Sequence, residues 1–88
     1  MKLQSGFVFR DVAGKTVAIS TSPKNSFQGM ISINASAKLL WERLTVGADR
    51  EELISALMEE YGIDRTVAER DTDALVGTLR EHGLLVDQ

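Results

Sequence analysis

The order of apolar and polar residues divides the chain into a strand-rich first part and a helix-rich remainder. Phe7 and Phe9 share one face of residues 6–12, Val17 and Ile19 share one face of residues 15–21, and residues 27–33 show the same alternation of faces. Such alternation is typical of strands that bury one face. The connections are short, and Gly14 supplies the positive φ that a tight hairpin needs. The pattern predicts a three-stranded antiparallel meander.

The strand predicted over residues 27–33 has two unlike faces. Phe27, Ile31 and Ile33 share one face, whereas Met30 lies on the other. Met30 either covers the back of the sheet or belongs to an adaptable apolar contact surface, a role that suits a flexible thioether. The pattern favours neither interpretation.

Helical spacing begins directly after this strand. Asn34 is predicted to cap a first helix whose apolar stripe contains Trp41. "TVGA", residues 45–48, is predicted to break that helix. Asp49 and Glu52 form a capping-box pattern at the start of a second helix, and Gly62 is predicted to end it.

The third helix, predicted from Asp64 to about His82, has a thin apolar stripe. Ala74 and Gly77 lie on one of its flanks, and a glycine in a helix interior costs about 1 kcal/mol relative to alanine. This flank either packs closely against another element or borders a shallow groove. The predicted inward face comprises Ala68, Asp71, Thr72, Leu75, Thr78, Leu79 and His82.

These elements predict an α+β fold similar to a winged helix-turn-helix, with a three-stranded antiparallel sheet followed by three helices. The 88 residues suffice for one hydrophobic core, so we expect a single domain over residues 1–88. "LLV", after Gly83, is expected to fold back onto that core.

The composition provides no catalytic or metal-binding set. The chain has no cysteine, and His82 is its one histidine. A Ser-His-Asp triad would have to use His82, whose place in a last helical turn is explained by the partial negative charge there. A zinc site needs more histidine or cysteine ligands, and no glycine-rich phosphate loop is present. We therefore expect no enzymatic activity, no metal and no cofactor.

Charge and hydropathy exclude further classes of partner. The net charge is -3, and the ten lysines and arginines are scattered. Proteins that bind nucleic acid concentrate positive charge on one face, whereas residues 64–82 carry three arginines and five carboxylates. No apolar run reaches the roughly 18 residues of a membrane span, and the N-terminus lacks the pattern of a signal peptide. The absence of cysteine fits the cytoplasm.

An interaction module remains. The outer strand of a meander exposes unpaired N–H and C=O groups. If residues 27–33 form such an edge, an extended peptide can add to it, with selectivity from side-chain pockets. Self-association through the same edge is equally compatible with the pattern.

Three consecutive segments, "FQGMISINASAKLLWERL", "EELISALMEEYGID" and "AERDTDALVGTLREHGLL", resemble the PqqD family over about residues 5–86. The resemblance implies a winged-helix-like recognition element that binds the leader of a ribosomally made precursor peptide. The leader would add as a fourth strand and lie against the third helix. The domain would then present the precursor to a modifying enzyme, such as a radical S-adenosylmethionine enzyme, a protease or a cyclase.

Carried over by position, the resemblance also implies a peptide-binding set, with Asn34 and Trp41 as anchors of the strand. Arg70 at the groove would suit a mixed or an acidic peptide. Two alternatives stay open: a winged-helix regulator that binds DNA or protein, and a homodimerising accessory domain without a peptide ligand. The expected peptide-binding residues are Gln28, Gly29, Met30, Ile31, Ser32 and Ile33 on the strand, and Val67, Arg70, Asp71, Ala74 and Thr78 on the helix.

Overall fold

The computed structural model describes residues 1–4, 6–21 and 29–86. Strands β2, β3 and β4 form an antiparallel sheet in that order, and β1 pairs with β5. The predicted α+β arrangement of three antiparallel strands and three helices is confirmed. The elements in chain order are β1 (Lys2–Leu3), β2 (Phe7–Val12), β3 (Lys15–Ser20), β4 (Met30–Ile33), α1 (Ala35–Val46), α2 (Arg50–Tyr61), α3 (Arg65–Glu81) and β5 (Leu85–Val86).

The hairpin between β2 and β3 turns at Ala13 and Gly14. Val12 pairs with Lys15, so the turn has two residues. Both have positive φ, 53° at Ala13 and 80° at Gly14. Two successive positive φ values are the signature of a type I′ turn, whose twist matches that of the strands. The role predicted for Gly14 is confirmed.

Aromatic packing attaches the sheet to α1. Trp41 is 2% exposed and makes edge-on contacts with Phe7 and Phe9, at ring-centroid distances of 5.3 and 6.1 Å. Lys38 Nζ lies 5.4 Å from the centre of the Phe9 ring. Ala18, which pairs with Phe9, is fully buried. These contacts define the face of the sheet that is turned toward the helices.

The helix starts follow the predicted caps, with one difference. Asn34 Oδ1 accepts a hydrogen bond from the Ala37 N–H at 2.8 Å. Asp49 and Glu52 make the reciprocal bonds of a capping box. Asp64 occupies the N-cap position of α3, but its side chain makes no capping hydrogen bond.

The first helix is longer than predicted at its C-terminal end. It continues through Thr45 and Val46 and ends before Gly47, whose φ is 115°. Thr45 Oγ1 donates to the Trp41 carbonyl at 2.9 Å, which satisfies the hydroxyl within the helix. Gly47 therefore ends this helix, whereas the β-branched residues Thr45 and Val46 belong to it.

The segment after Gly83 returns to the core, as predicted. Gly83 has a φ of 68° and follows the end of α3, and Leu84 is fully buried. Strand β5 then pairs with β1, where Leu3 is 4% exposed. The pattern did not predict β1, because a strand of two residues is too short to show alternation.

Thr72 is a polar residue buried within α3. It is 0% exposed, and its Oγ1 has no hydrogen-bond partner within the described part of the chain. A buried hydroxyl without a partner costs about 1–3 kcal/mol. The Thr72 hydroxyl therefore makes the fold less stable than an apolar group of the same shape would.

Replacing Thr72 by valine removes this hydroxyl and keeps the shape of the side chain. We expect Thr72→Val to raise the free energy of unfolding by about 1 kcal/mol, measured by urea denaturation. Thr45→Val is the matched control and should bring no gain, because the Thr45 hydroxyl is already bonded to Trp41. A loss of stability in Thr72→Val would mean that its hydroxyl has a partner in solution.

Candidate functional site

Strand β4 is an edge of the sheet, and its register decides which of its groups face outward. Ser20 and Gly29 continue the pairing of β3 with β4, and the Ser20 N–H donates to the Gly29 carbonyl at 3.2 Å. Hydrogen-bonded and non-hydrogen-bonded pairs alternate along an antiparallel ladder. Every second residue from Gly29 onward therefore bonds to β3.

The remaining residues of β4 direct their backbone groups to the open edge. Ile31 and Ile33 belong to the hydrogen-bonded set that faces β3. The N–H and C=O groups of Met30 and Ser32 consequently point away from the sheet. An extended chain alongside β4 would find a ladder of these four groups.

A cleft of about 240 Å³ lies beside this edge. It separates β4 from α3, and the first turns of α1 form its third wall. Strand β4 contributes Ile31, Ser32 and Ile33; the start of α1 contributes Asn34, Ser36, Ala37 and Leu40; and α3 contributes Asp71, Ala74, Leu75 and Thr78.

The cleft exists because α1 holds the sheet and α3 apart. The sheet packs on α1 through Trp41, whereas α3 packs on α1 and α2. Between them, Ala37 and Ala74 face the gap with side chains that end at Cβ. Leu40 and Leu75, 1% and 8% exposed, give this gap an apolar lining.

The structure brings part of the predicted set together. From the strand, Ile31, Ser32 and Ile33 line the cleft. From the helix, Asp71, Ala74 and Thr78 line it, and they form one stripe along α3. Two elements far apart in sequence thus face each other across a single gap.

Other predicted residues lie elsewhere or outside the described part. The Met30 side chain lies on the sheet face opposite Trp41. It is 63% exposed and covers little of the back of the sheet, whereas the Met30 backbone faces the open edge. The described residues that line the cleft do not include Arg70, Gly29 or Val67. The Arg70 side chain is 75% exposed. Gln28 falls outside the described residues. A peptide contact stays a prediction at every position of the expected set.

The pattern did not identify the α1 wall of the cleft. Ser36, Ala37 and Leu40 were not predicted as site residues, and neither was Leu75 of α3. Their helical spacing indicates burial and does not tell a core position from the floor of a cleft. The signal that the sequence offered for a cleft was the small side chain of Ala37 on the apolar stripe that also contains Leu40 and Trp41.

The surroundings of Gly77 decide between close packing and a shallow groove, the two interpretations of this flank of α3. It is exposed, and a Cβ added there would meet no atom within 4 Å. Close packing against another element is therefore wrong. The small residue that borders the groove is Ala74.

Ion pairs with α2 occupy the other flank of α3. Arg50 binds Asp73 through two hydrogen bonds, of 2.8 and 3.0 Å, and Arg65 binds Glu51. The hydrogen bond from Arg50 holds the pKa of the Asp73 carboxyl below its usual value, and the bond from Arg65 does the same for the pKa of Glu51. Such exposed pairs add little stability, but they commit these charges to the contact between α2 and α3.

The charges of α3 do not suit a DNA-reading helix. Arg65 is shared between Glu51 and Glu69, and Arg70 lies beside Asp71. A recognition helix needs cations that are free to meet phosphates and bases. The alternative of a DNA-binding regulator therefore gains no support from the site.

The described residues also bear on metals and membranes. They contain no group of three or more histidine, cysteine, aspartate or glutamate side chains that could hold a metal ion. None of their helices combines the length and the apolar character needed to cross a bilayer.

The register of β4 predicts an alternating pattern of amide exchange in the free protein. The N–H groups of Met30 and Ser32 should exchange with solvent quickly, whereas those of Ile31 and Ile33 should be protected by their bonds to β3. Hydrogen exchange followed by NMR measures this difference. Protection of Met30 and Ser32 in a dilute monomer would contradict the assigned register.

Comparison with known proteins places this geometry in context. The family model described as "Coenzyme PQQ synthesis protein D (PqqD)" matches residues 10–85. A search of curated proteins finds no match.

Two solved structures have the same fold. One is described as TbiB1 in complex with the TbiA(beta) leader peptide; it has a TM-score of 0.72 and 24% identity, and the match covers 100% of this chain and 98% of that one. The other is lasso peptide synthetase B1 complexed with the leader peptide, with a TM-score of 0.69, 27% identity, and coverage of 98% and 96%.

Proposed function

The chain belongs to the PqqD family, and we propose that it is a non-catalytic chaperone that binds the leader of a ribosomally made precursor peptide and presents it to a modifying enzyme. Both similar structures are complexes with a leader peptide, and the matches extend over nearly the whole chain. The resemblance noted in the sequence implies the same role.

The observation that carries the proposal is the open edge of β4 beside the cleft. A peptide added as a fourth strand would pair with the outward N–H and C=O groups of Met30 and Ser32. Its side chains would alternate, so every second one would enter the cleft between β4 and α3. Main-chain pairing then supplies affinity, and the cleft supplies selectivity.

The contacts proposed for the peptide follow from this placement. Backbone pairing would come from Met30 and Ser32, whereas the backbone of Gly29 belongs to the set that bonds to β3. A contact at Gln28 stays a prediction. Side-chain contacts would come from the α3 stripe, and the cleft adds positions that the sequence did not suggest. The residues proposed for side-chain contact are Ile31, Ile33, Ala37, Leu40, Asp71, Ala74, Leu75 and Thr78.

The chemistry would belong to a partner enzyme. The one histidine, His82, is exposed at the end of α3 and does not line the cleft. The partner would be a radical S-adenosylmethionine enzyme, a protease or a cyclase, acting with this domain in the cytoplasm. A short precursor gene beside such an enzyme would supply the natural peptide for the experiments that follow.

Substitution of Ser32 separates strand pairing from other modes of binding. Ser32→Pro removes an outward N–H and leaves the β3–β4 bonds in place, whereas Ser32→Ala keeps that N–H and is the matched control. We expect Ser32→Pro to weaken binding of the encoded leader peptide about tenfold, and Ser32→Ala to leave it unchanged. Fluorescence anisotropy measures the affinity, and circular dichroism verifies the fold of each variant.

Two results would count against the proposal. Equal affinities of folded Ser32→Pro and wild type would exclude pairing at β4. Concentration-dependent dimers that protect the Met30 and Ser32 amides without peptide would favour the dimerising alternative, and analytical ultracentrifugation detects them.

A further inference from the structure

Asp71 is the charged side chain among the residues that line the cleft. It lies on the α3 wall, one turn before Leu75, and 38% of its side chain is exposed. The other residues that line the cleft are uncharged. Among the lining residues, a peptide would therefore meet one charge, the Asp71 carboxylate.

Two other polar side chains of the cleft are already used within the fold. Thr78 Oγ1 donates to the Ala74 carbonyl at 3.0 Å, and Asn34 Oδ1 accepts from the N-terminal turn of α1 at 2.8 Å. Among the described residues, Asp71 has only a long contact with Arg70, of 3.8 Å between Nε and Oδ1, and the Arg70 side chain is 75% exposed. The carboxylate is thus partly exposed and open to a ligand.

Occupation of the cleft changes the surroundings of this carboxylate. A strand beside β4 would displace much of its water, and a charge removed from water without a partner is costly. An ammonium or guanidinium group on the peptide offsets that cost through a charge-assisted hydrogen bond. The net charge of -3 also favours the approach of a basic segment.

Resting on the proposed function, we propose that Asp71 selects leader segments with a lysine or arginine at a cleft-facing position. Strand geometry sets the spacing, because side chains on one face recur every second residue. Leu40 and Leu75 form an apolar surface in the cleft, and the next peptide side chain on the same face packs against it. The recognised segment has a basic and an apolar residue two positions apart, in place of the acidic or mixed segment that Arg70 alone suggested.

A selection with peptides of random sequence tests this preference without knowledge of the natural leader. Dodecapeptides displayed on mRNA are selected in parallel on the wild-type domain and on Asp71→Asn. We expect the wild type to enrich peptides with a basic and an apolar residue spaced by two. The Asp71→Asn variant should enrich the apolar residue and lose the basic one.

A charge exchange then tests direct contact. In one enriched peptide, replacing the basic residue by glutamate should weaken binding to the wild type about tenfold at low salt. Asp71→Lys should restore the affinity for that glutamate peptide. Glu81→Gln is the matched control, because it removes a carboxylate of α3 that does not line the cleft, and it should keep the basic preference. Thermal melting verifies the fold of all variants.

The outcomes separate this inference from the function on which it rests. Peptides that pair at β4 without a basic preference, or with a preference unchanged in Asp71→Asn, would overturn the role of Asp71 and leave the peptide chaperone intact. If neither a random peptide nor the encoded leader binds, both proposals fall together.

Discussion

The packing of Trp41 against Phe7 and Phe9 is the contact on which the rest of the structure depends. It joins the sheet to α1 and decides which face of the sheet is buried. Because side chains alternate along a strand, that choice sends Ile31 and Ile33 toward the helices and Met30 away from them. The face of β4 that meets the helices thus follows from an aromatic contact on another strand.

The same arrangement leaves room for a ligand. Helix α3 packs on α1 and α2, and the two bonds between Arg50 and Asp73 lie at its contact with α2. Since α1 stands between the sheet and α3, a gap remains that the short side chains of Ala37 and Ala74 do not fill. An open strand edge and an apolar cleft are thereby placed side by side, which is the combination that β-strand addition requires.

Short-range sequence rules predicted much of the fold, whereas the site depends on contacts between elements far apart in sequence, which such rules do not describe. Asn34 as a cap and Gly14 as a turn residue follow from short-range chemistry, so the sequence was sufficient for them. The direction of the Ser32 N–H depends on pairing with β3, which no single strand specifies. Gly77 failed as an indicator of packing because its neighbours in space were unknown. Asp71 was predicted, but only the assembled cleft distinguishes it from Arg70, the next residue around the helix.

The most direct test of the account is to observe the backbone of a bound leader peptide next to β4. With an isotope-labelled domain and an unlabelled peptide, filtered NOE spectra report pairs of protons, one on each molecule, that lie close together. Backbone protons of two chains come this close when the chains pair as neighbouring strands. We predict backbone NOEs from the peptide to Met30 and Ser32, with peptide side chains near Leu40 and Leu75. Backbone NOEs to β2, the other edge of the sheet, would contradict it.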